Sequence, residues 1–299
     1  MVGEMRTTQN TMRLFGAYSL CASITLVTSG AQAGIIFSGL TGYWEGNGNA
    51  HDSSPTGNNG TFAGSYAPGI DRRKAFDLAT PPGPKPSAPL GDVVIPDNAA
   101  YDFGTSLSVG FWFNRNGVPF PDRTSWIMIG QDVGGGDLPK WFIGDVAPYL
   151  GLPSGFELVL GGPDLGQPGA GIFANDVPVP AGWNQLTLVV TDTASLSGYT
   201  FYLDGVSLGS VSLGLGSGPY QGTFPNPSAP LAFGFQDGGD AFPGLMQDVV
   251  LYNRALTPIE VQTLAARATT IPEPASLALY GTGLLAAFAV SRRRRKAKA

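Results

Sequence analysis

From residue 35 to residue 252 the chain keeps to one rhythm. Short runs in which apolar and polar side chains alternate are separated by stretches rich in Gly, Pro, Asn and Asp. The clearest runs cover residues 107–116 (LSVGFWFNRN), 125–132 (SWIMIGQD), 155–161 (GFELVLG), 184–192 (NQLTLVVTD), 199–205 (YTFYLDG), 230–238 (PLAFGFQDG) and 244–253 (GLMQDVVLYN). An alternation of period two, filled with Val, Ile, Phe, Tyr and Trp, predicts half-buried sheet strands. Asp204-Gly205 lies between two such runs and predicts a tight hairpin. No long amphipathic helix interrupts the series. One helix is signalled near the end, in LTPIEVQTLAARA. Thr257 is placed to cap it, Pro258 to take its first position and Glu260 to close a capping box, with Ile259, Val261 and Leu264 turned towards the sheets. The segment 79–91 (ATPPGPKPSAPLG) has no periodicity and reads as an extended surface loop.

Composition points the same way. The 299 residues include 43 Gly and 25 Pro, and 13% are charged, which is too apolar for a disordered chain and too rich in turn formers for a helical one. Many short strands joined by turns fit these numbers, and an all-β domain of about 200–250 residues needs no second domain.

Both ends depart from this pattern and read as targeting segments. Arg6 and Arg13 precede the apolar stretch LFGAYSLCASITLV, and AQA follows at Ala31 to Ala33. That order predicts a signal peptide over residues 1–33, cut after Ala33; an uncleaved signal anchor is the alternative. Cys21, the sole cysteine, lies inside the apolar stretch, so the mature chain is expected to hold no disulfide. The other end reads IPEPASLALYGTGLLAAFAVSRRRRKAKA. An apolar run of sixteen residues, 275–290, would rise about 24 Å as a helix, short of a roughly 30 Å hydrocarbon core but usable when flanking arginines snorkel. The block Arg292, Arg293, Arg294 and Arg295 is expected to stay cytoplasmic and act as a membrane stop, with the β domain outside. Pro272 and Pro274 keep the junction extended and open to a protease.

Removing the ends changes the charge picture. The whole chain carries −5, but residues 34–270 hold nine Lys/Arg against twenty Asp/Glu, a net −11. So acidic a domain is a poor partner for nucleic acid or an anionic membrane surface, and is compatible with bound cations or simply with solubility.

Several stretches resemble the laminin-G-like, concanavalin A-like jelly-roll family: YWEGNGNAHDSSPTGNNGTF (residues 43–62), VVIPDNAAYDFGTSLSVGFWFNRN (93–116), the middle hairpin region 182–210 and FPGLMQDVVLYNRALTPIEV (242–261). Pro55 stands where the family usually has glycine. The resemblance implies a two-sheet antiparallel jelly-roll sandwich over residues 34–270, with one short C-terminal helix packed on it. Residues 271–299 are similar to the PEP-CTERM sorting signal, with Pro272, Glu273 and Pro274 as the motif. That resemblance implies processing by an exosortase in a Gram-negative bacterium and delivery to the cell envelope or matrix, the C-terminal segment lying in the membrane until it is cut. A permanent anchor is the alternative.

Fold alone does not give function. Glycoside hydrolysis commonly needs a pair of carboxylates. Between residues 34 and 270 there are only three glutamates, Glu45, Glu157 and Glu260, and Glu260 is expected in the helix cap. His51 is the only histidine, so neither a Ser-His-Asp triad nor a His-based metal site can be assembled. The expectation is therefore a non-enzyme: an exported binding or adhesion protein whose partner is extracellular polysaccharide or a surface protein. A degenerate glycan hydrolase or lyase and a passive matrix protein are the alternatives. The family resemblance implies a structural calcium site at Asp52, Gln247 and Asp248, although Gln247 stands where relatives often have Asp; Asp52 can instead cap its own turn. Trp44, Trp112 and Trp183 read as core, and Trp126 and Trp141, on central strands, are the candidates for sugar contact.

Overall fold

The computed structural model describes residues 35–78, 93–115, 117, 126–132, 140–146, 155–161, 170–175, 177–215, 220, 222–234 and 240–266. The chain divides into two compact units, Met1–Gly30 and Ala31–Ala299, and every described residue belongs to the second. The signal-peptide site at Ala31 and Ala33, both terminal apolar segments, the motif Pro272, Glu273 and Pro274 and the four arginines 292–295 lie outside the described residues, as does the whole of the 79–91 segment.

Two sheets stack into a jelly-roll sandwich. The first runs β13 (Val206–Ser207), β12 (Tyr199–Leu203), β11 (Trp183–Val190), β6 (Leu107–Asn114), β17 (Leu245–Tyr252), β4 (Lys74–Asp77) and β3 (Ser65–Pro68), with β1 (Leu40–Trp44) also paired to β17. The second runs β14 (Ser212–Leu215), β10 (Ala170–Asn175), β9 (Gly155–Gly161), β8 (Lys140–Val146), β7 (Trp126–Asp132), β15 (Leu231–Phe233), β5 (Val93–Ile95) and β2 (Thr61–Phe62). A short parallel partner, β16 (Asp240–Ala241), joins β7; the other pairings are antiparallel. The hairpin read from Asp204-Gly205 forms between β12 and β13, with both residues at positive φ (51° and 78°), the geometry of a primed turn.

Alternation decides what is buried. Phe111, Phe113, Leu186, Leu188 and Val190 of the first sheet meet Trp141, Ile143, Phe156, Leu158 and Leu160 of the second in one continuous core. The outer face of the first sheet is partly capped by a second cluster. There Tyr43, Val189, Tyr202, Val250 and Tyr252 pack under Val261 and Leu264 of helix α1 (Pro258–Ala265), with Ile35 and Ile36 alongside. The helix starts as its sequence predicts, with the Thr257–Glu260 capping box complete and Pro258 in the first turn. Ile259 differs from expectation. It is 67% exposed, because two helical residues turn about 200° and place it opposite Val261.

Candidate functional site

Asp52 caps its own turn. Its Oδ1 accepts the backbone N–H groups of Tyr43 (2.9 Å) and Ser54 (2.8 Å), and its Oδ2 accepts the Ser54 hydroxyl (2.9 Å) and the Asn58 N–H (2.8 Å). A carboxylate has about four lone-pair sites, and all are taken by protein donors.

Gln247 and Asp248 sit at a bulge, where the β17–β6 register slips between Gln247 and Val250 and Asp248 takes φ 51°. The Gln247 Oε1 accepts the N–H of Ile70 at 2.8 Å, so closely under the β3–β4 turn that a Cβ on Gly69 would lie 2.2 Å from it. Asp248 accepts the Tyr43 hydroxyl (2.9 Å) and a two-point contact from Arg73, Nη1 to Oδ1 at 2.9 Å and Nη2 to Oδ2 at 2.5 Å. Glu45 stands 3.8 Å from the same guanidinium. Burial opposes the charge on Arg73, but Asp248 and Glu45 outweigh it and raise its pKa, so it stays protonated. The turn that delivers Arg73 is contorted: Asp71 (φ 56°) and Arg72 (φ 61°) are both left-handed without being glycine.

These residues do not fit calcium. Asp52 and Asp248 occupy the two ends of Tyr43, bound to its N–H and its hydroxyl, and do not surround one point. Their oxygens are filled by N–H and O–H donors, and a guanidinium already neutralises Asp248. Among the described residues no group of three Asp, Glu, His or Cys side chains converges.

Among the described residues, Asp145 and Glu157 lie close enough to suggest a catalytic acid pair. Asp145 is fully buried, and burial, offset in part by Arg115 with Nη2 at 2.6 Å, pushes its pKa up to about 7; the charge of Glu157 adds to the rise. Alternation separates the two acids, however. Asp145 shares its face with the core residues Trp141 and Ile143, whereas Glu157 alternates with Phe156 and Leu158 and points to the other side of the sheet. One substrate cannot touch both. Glu260 is held by Arg254 (2.6 and 2.9 Å) and by the helix cap, which depress its pKa to about 2, and Glu45 contacts Ser53 (3.4 Å) and Arg73.

Of the tryptophans, Trp141 departs furthest from the role read from sequence. Trp141, a candidate for sugar contact, has no exposed surface; its N–H donates to Gln131 Oε1 at 2.9 Å and its ring packs edge-on to Phe103 and Phe224. It is core because its strand phase matches that of Ile143. Trp126 lies on β7 opposite Asp145, and its side chain falls outside the described residues. Trp44 is core as expected, bonded to the Asn58 carbonyl and edge-on to Phe233. Trp112 is buried, 6% exposed, as read from the sequence, whereas Trp183 is only half-buried. They alternate with Phe113 and Leu186, face outwards from the first sheet and belong to neither packed cluster. Trp112 lines a narrow cleft with Ile35, Gln185, Asp248, Val250 and Leu264.

Comparison with known proteins bears on this arrangement. Residues 91–262 match the family described as the concanavalin A-like lectin/glucanases superfamily, and residues 270–295 match the PEP-CTERM protein-sorting motif. Among solved structures, domain 4 of AbnA, a GH43 extracellular arabinanase from Geobacillus stearothermophilus, in complex with arabinotriose, is 21% identical, with 77% of this chain and 100% of that chain covered at a TM-score of 0.54. The binding domain of Paraclostridial Mosquitocidal Protein 1 is 16% identical (76% of this chain, 52% of that chain, TM-score 0.54). The binding domain of botulinum neurotoxin serotype G is 14% identical (76% and 50%, TM-score 0.51). The match thus spans about half the length of these two toxin binding domains. None of the curated proteins matches the chain.

Proposed function

Because the chain belongs to the concanavalin A-like lectin/glucanases superfamily and ends in a PEP-CTERM sorting motif, we propose that it is an exported, non-catalytic binding protein of the cell envelope or extracellular matrix whose ligand is a polysaccharide. The observation that carries the non-catalytic reading is the engagement of the carboxylates. Glu45 and Glu260 are tied to arginines, and Asp145 and Glu157 face opposite sides of their sheet. These four carboxylates therefore supply no facing acid and base, and glycoside hydrolysis commonly needs both. The arabinanase domain was solved with arabinotriose, which makes a glycan the first ligand class to test. In this reading the sorting motif directs exosortase-dependent export, with Pro272, Glu273 and Pro274 as the processing region and Arg292, Arg293, Arg294 and Arg295 as the hold on the membrane until cutting. Pull-down of the full chain on insoluble polysaccharides and on surface-protein extracts tests the function. Retention on a polysaccharide without chain shortening supports it. Retention on protein alone moves the partner to that class, and shortening of the polymer makes the protein an enzyme.

A further inference from the structure

We propose that the face around helix α1 rests on a lipid bilayer of no net surface charge while the C-terminal segment is uncut, and lets go once it is cut; this rests on the tail being held in the membrane until processing, as proposed above. Three large apolar side chains stand out in solvent among the described residues: Phe37 (69% exposed), Val206 (67%) and Ile259 (67%). All three border α1. Ile259 is in its first turn. Phe37 precedes Ser38, whose carbonyl accepts Arg254 Nε at 2.9 Å, and the same guanidinium binds Glu260, next to Ile259. Val206 follows Gly205, which sits against the other end of the helix: a Cβ there would lie 3.0 Å from Ala265 Cβ and 3.3 Å from Gln262 Cα.

The exposed residues of the helix and its flanks, Thr257, Pro258, Ile259, Gln262 and Ala266, carry no charge. At the helix start Arg254 and Glu260 neutralise each other at 2.6 Å, and Asp204, at the hairpin tip, turns Oδ1 to the Gln185 N–H at 2.8 Å. Residues 34–270 carry a net −11, which repels an anionic surface but not a neutral one. Apolar side chains on an uncharged surface suit the boundary between headgroups and acyl chains.

The chain enters and leaves the domain on this face. Ile35 and Ile36 pack beside Val261 and Leu264, and Ala266 directly follows the helix. From Ala266 to Ala275, where the apolar run starts, is a step of nine residues, which reach about 30 Å at most. A compact domain of this length is about 45 Å across, so its opposite face cannot reach the bilayer on that tether. Three partly exposed side chains hold a bilayer only weakly by themselves, since even a whole myristoyl chain binds marginally. The tether makes the contact intramolecular, at high effective concentration, and cutting in the Pro272–Pro274 region removes that advantage. This dependence on the tether favours lipid over a second copy of the chain, whose docking would follow protein concentration.

The test uses the full chain with Cys21→Ser and one new cysteine carrying the fluorophore NBD. The cysteine is placed by Ile259→Cys, by Val206→Cys, or by His51→Cys on the loop beyond the far end of β1. All three positions are exposed, so the fold is not at stake. The chain is inserted into phosphatidylcholine vesicles, insertion is read by flotation, and doxyl-labelled phosphatidylcholine reports lipid contact by quenching. Labels at 259 and 206 are expected to be quenched about twofold or more, and the label at 51 to be unchanged. Phe37→Asp is expected to reduce the quenching at 259. With a specific protease site placed after Pro274, cutting the inserted chain is expected to abolish it. Equal quenching at 259 and 51, or none at 259 in a chain that floats, overturns the docking and leaves the membrane hold intact. A label at 259 shielded from aqueous iodide but not quenched by lipid gives the face to a second copy and overturns the proposal. Quenching that survives the cut overturns the dependence on the tether. A chain that does not float overturns the membrane hold and the docking with it.

Discussion

Arg73→Met removes the cation that joins the β3–β4 turn to the last strand. Asp248 has a side chain only 4% exposed, and it loses both guanidinium contacts, keeping the Tyr43 hydroxyl. Breaking a buried ion pair from one side typically costs about 3–5 kcal/mol, because the remaining charge is left buried. Arg73 is 20% exposed and Tyr43 still donates, so the lower end, about 3 kcal/mol, is the working figure. For a domain of this size that is about 6–12 °C in Tm. Relaxation of the left-handed Asp71 and Arg72 returns part of the loss, which again favours the lower end. The assay is thermal unfolding of wild type and variant by circular dichroism, each in calcium chloride and in EDTA. The wild type is expected to melt at the same temperature in both, because protein donors fill the oxygens of Asp52 and Asp248. A variant melting within about 1 °C of the wild type would refute the role of the pair. So would a calcium-induced rise in the wild type that Asp248→Asn abolishes.

Other outcomes follow from the same structure. Glu260 has a folded pKa depressed to about 2 by Arg254 and the cap, so its stabilisation is present above the usual carboxylate range and is lost as pH falls towards 2. Glu260→Gln is expected to cost about 1 kcal/mol near neutrality, with the gap to wild type closing in acid, read from Tm against pH. Asp145 has a folded pKa raised to about 7, mainly by burial; the folded state binds the extra proton between roughly pH 4 and 7, so stability falls as pH rises through that window. Asp145→Asn is expected to flatten that part of the Tm–pH curve. Trp141→Ala is expected to cost about 3–5 kcal/mol in denaturant unfolding, as a fully buried ring and its bond to Gln131 are lost, while Trp183→Ala costs under about 1 kcal/mol.

The strands were readable wherever a run alternated cleanly, as in 107–114, 184–190 and 245–252, because one buried face imposes the period. Strands β8 and β10 escaped: Gly-rich stretches such as GGPDLGQPGAG blur the boundary, and β8 lies between two segments without a clear pattern. The helix cap was readable because its chemistry is local. Trp141 lies in the core rather than at a ligand face, because alternation gives two faces but not which one is inside. A signal was present nonetheless: Trp112 alternates with Phe111 and Phe113, and Trp183 shares its phase with Gln185 and Thr187, so the polar set marks the outward side. The Arg73–Asp248 pair spans 175 residues of sequence and depends on a bulge and two left-handed residues, none of which has a local signature in the chain.

The central claim is that this exported β sandwich holds a polysaccharide without cutting it and without a metal. The most direct measurement is migration of the full chain through gels cast with laminarin, dextran or arabinan in EDTA, with polymer length followed in parallel by size-exclusion chromatography. The account predicts retardation by at least one polymer whose length does not change. Free migration through all of them, or a shortened polymer, contradicts it.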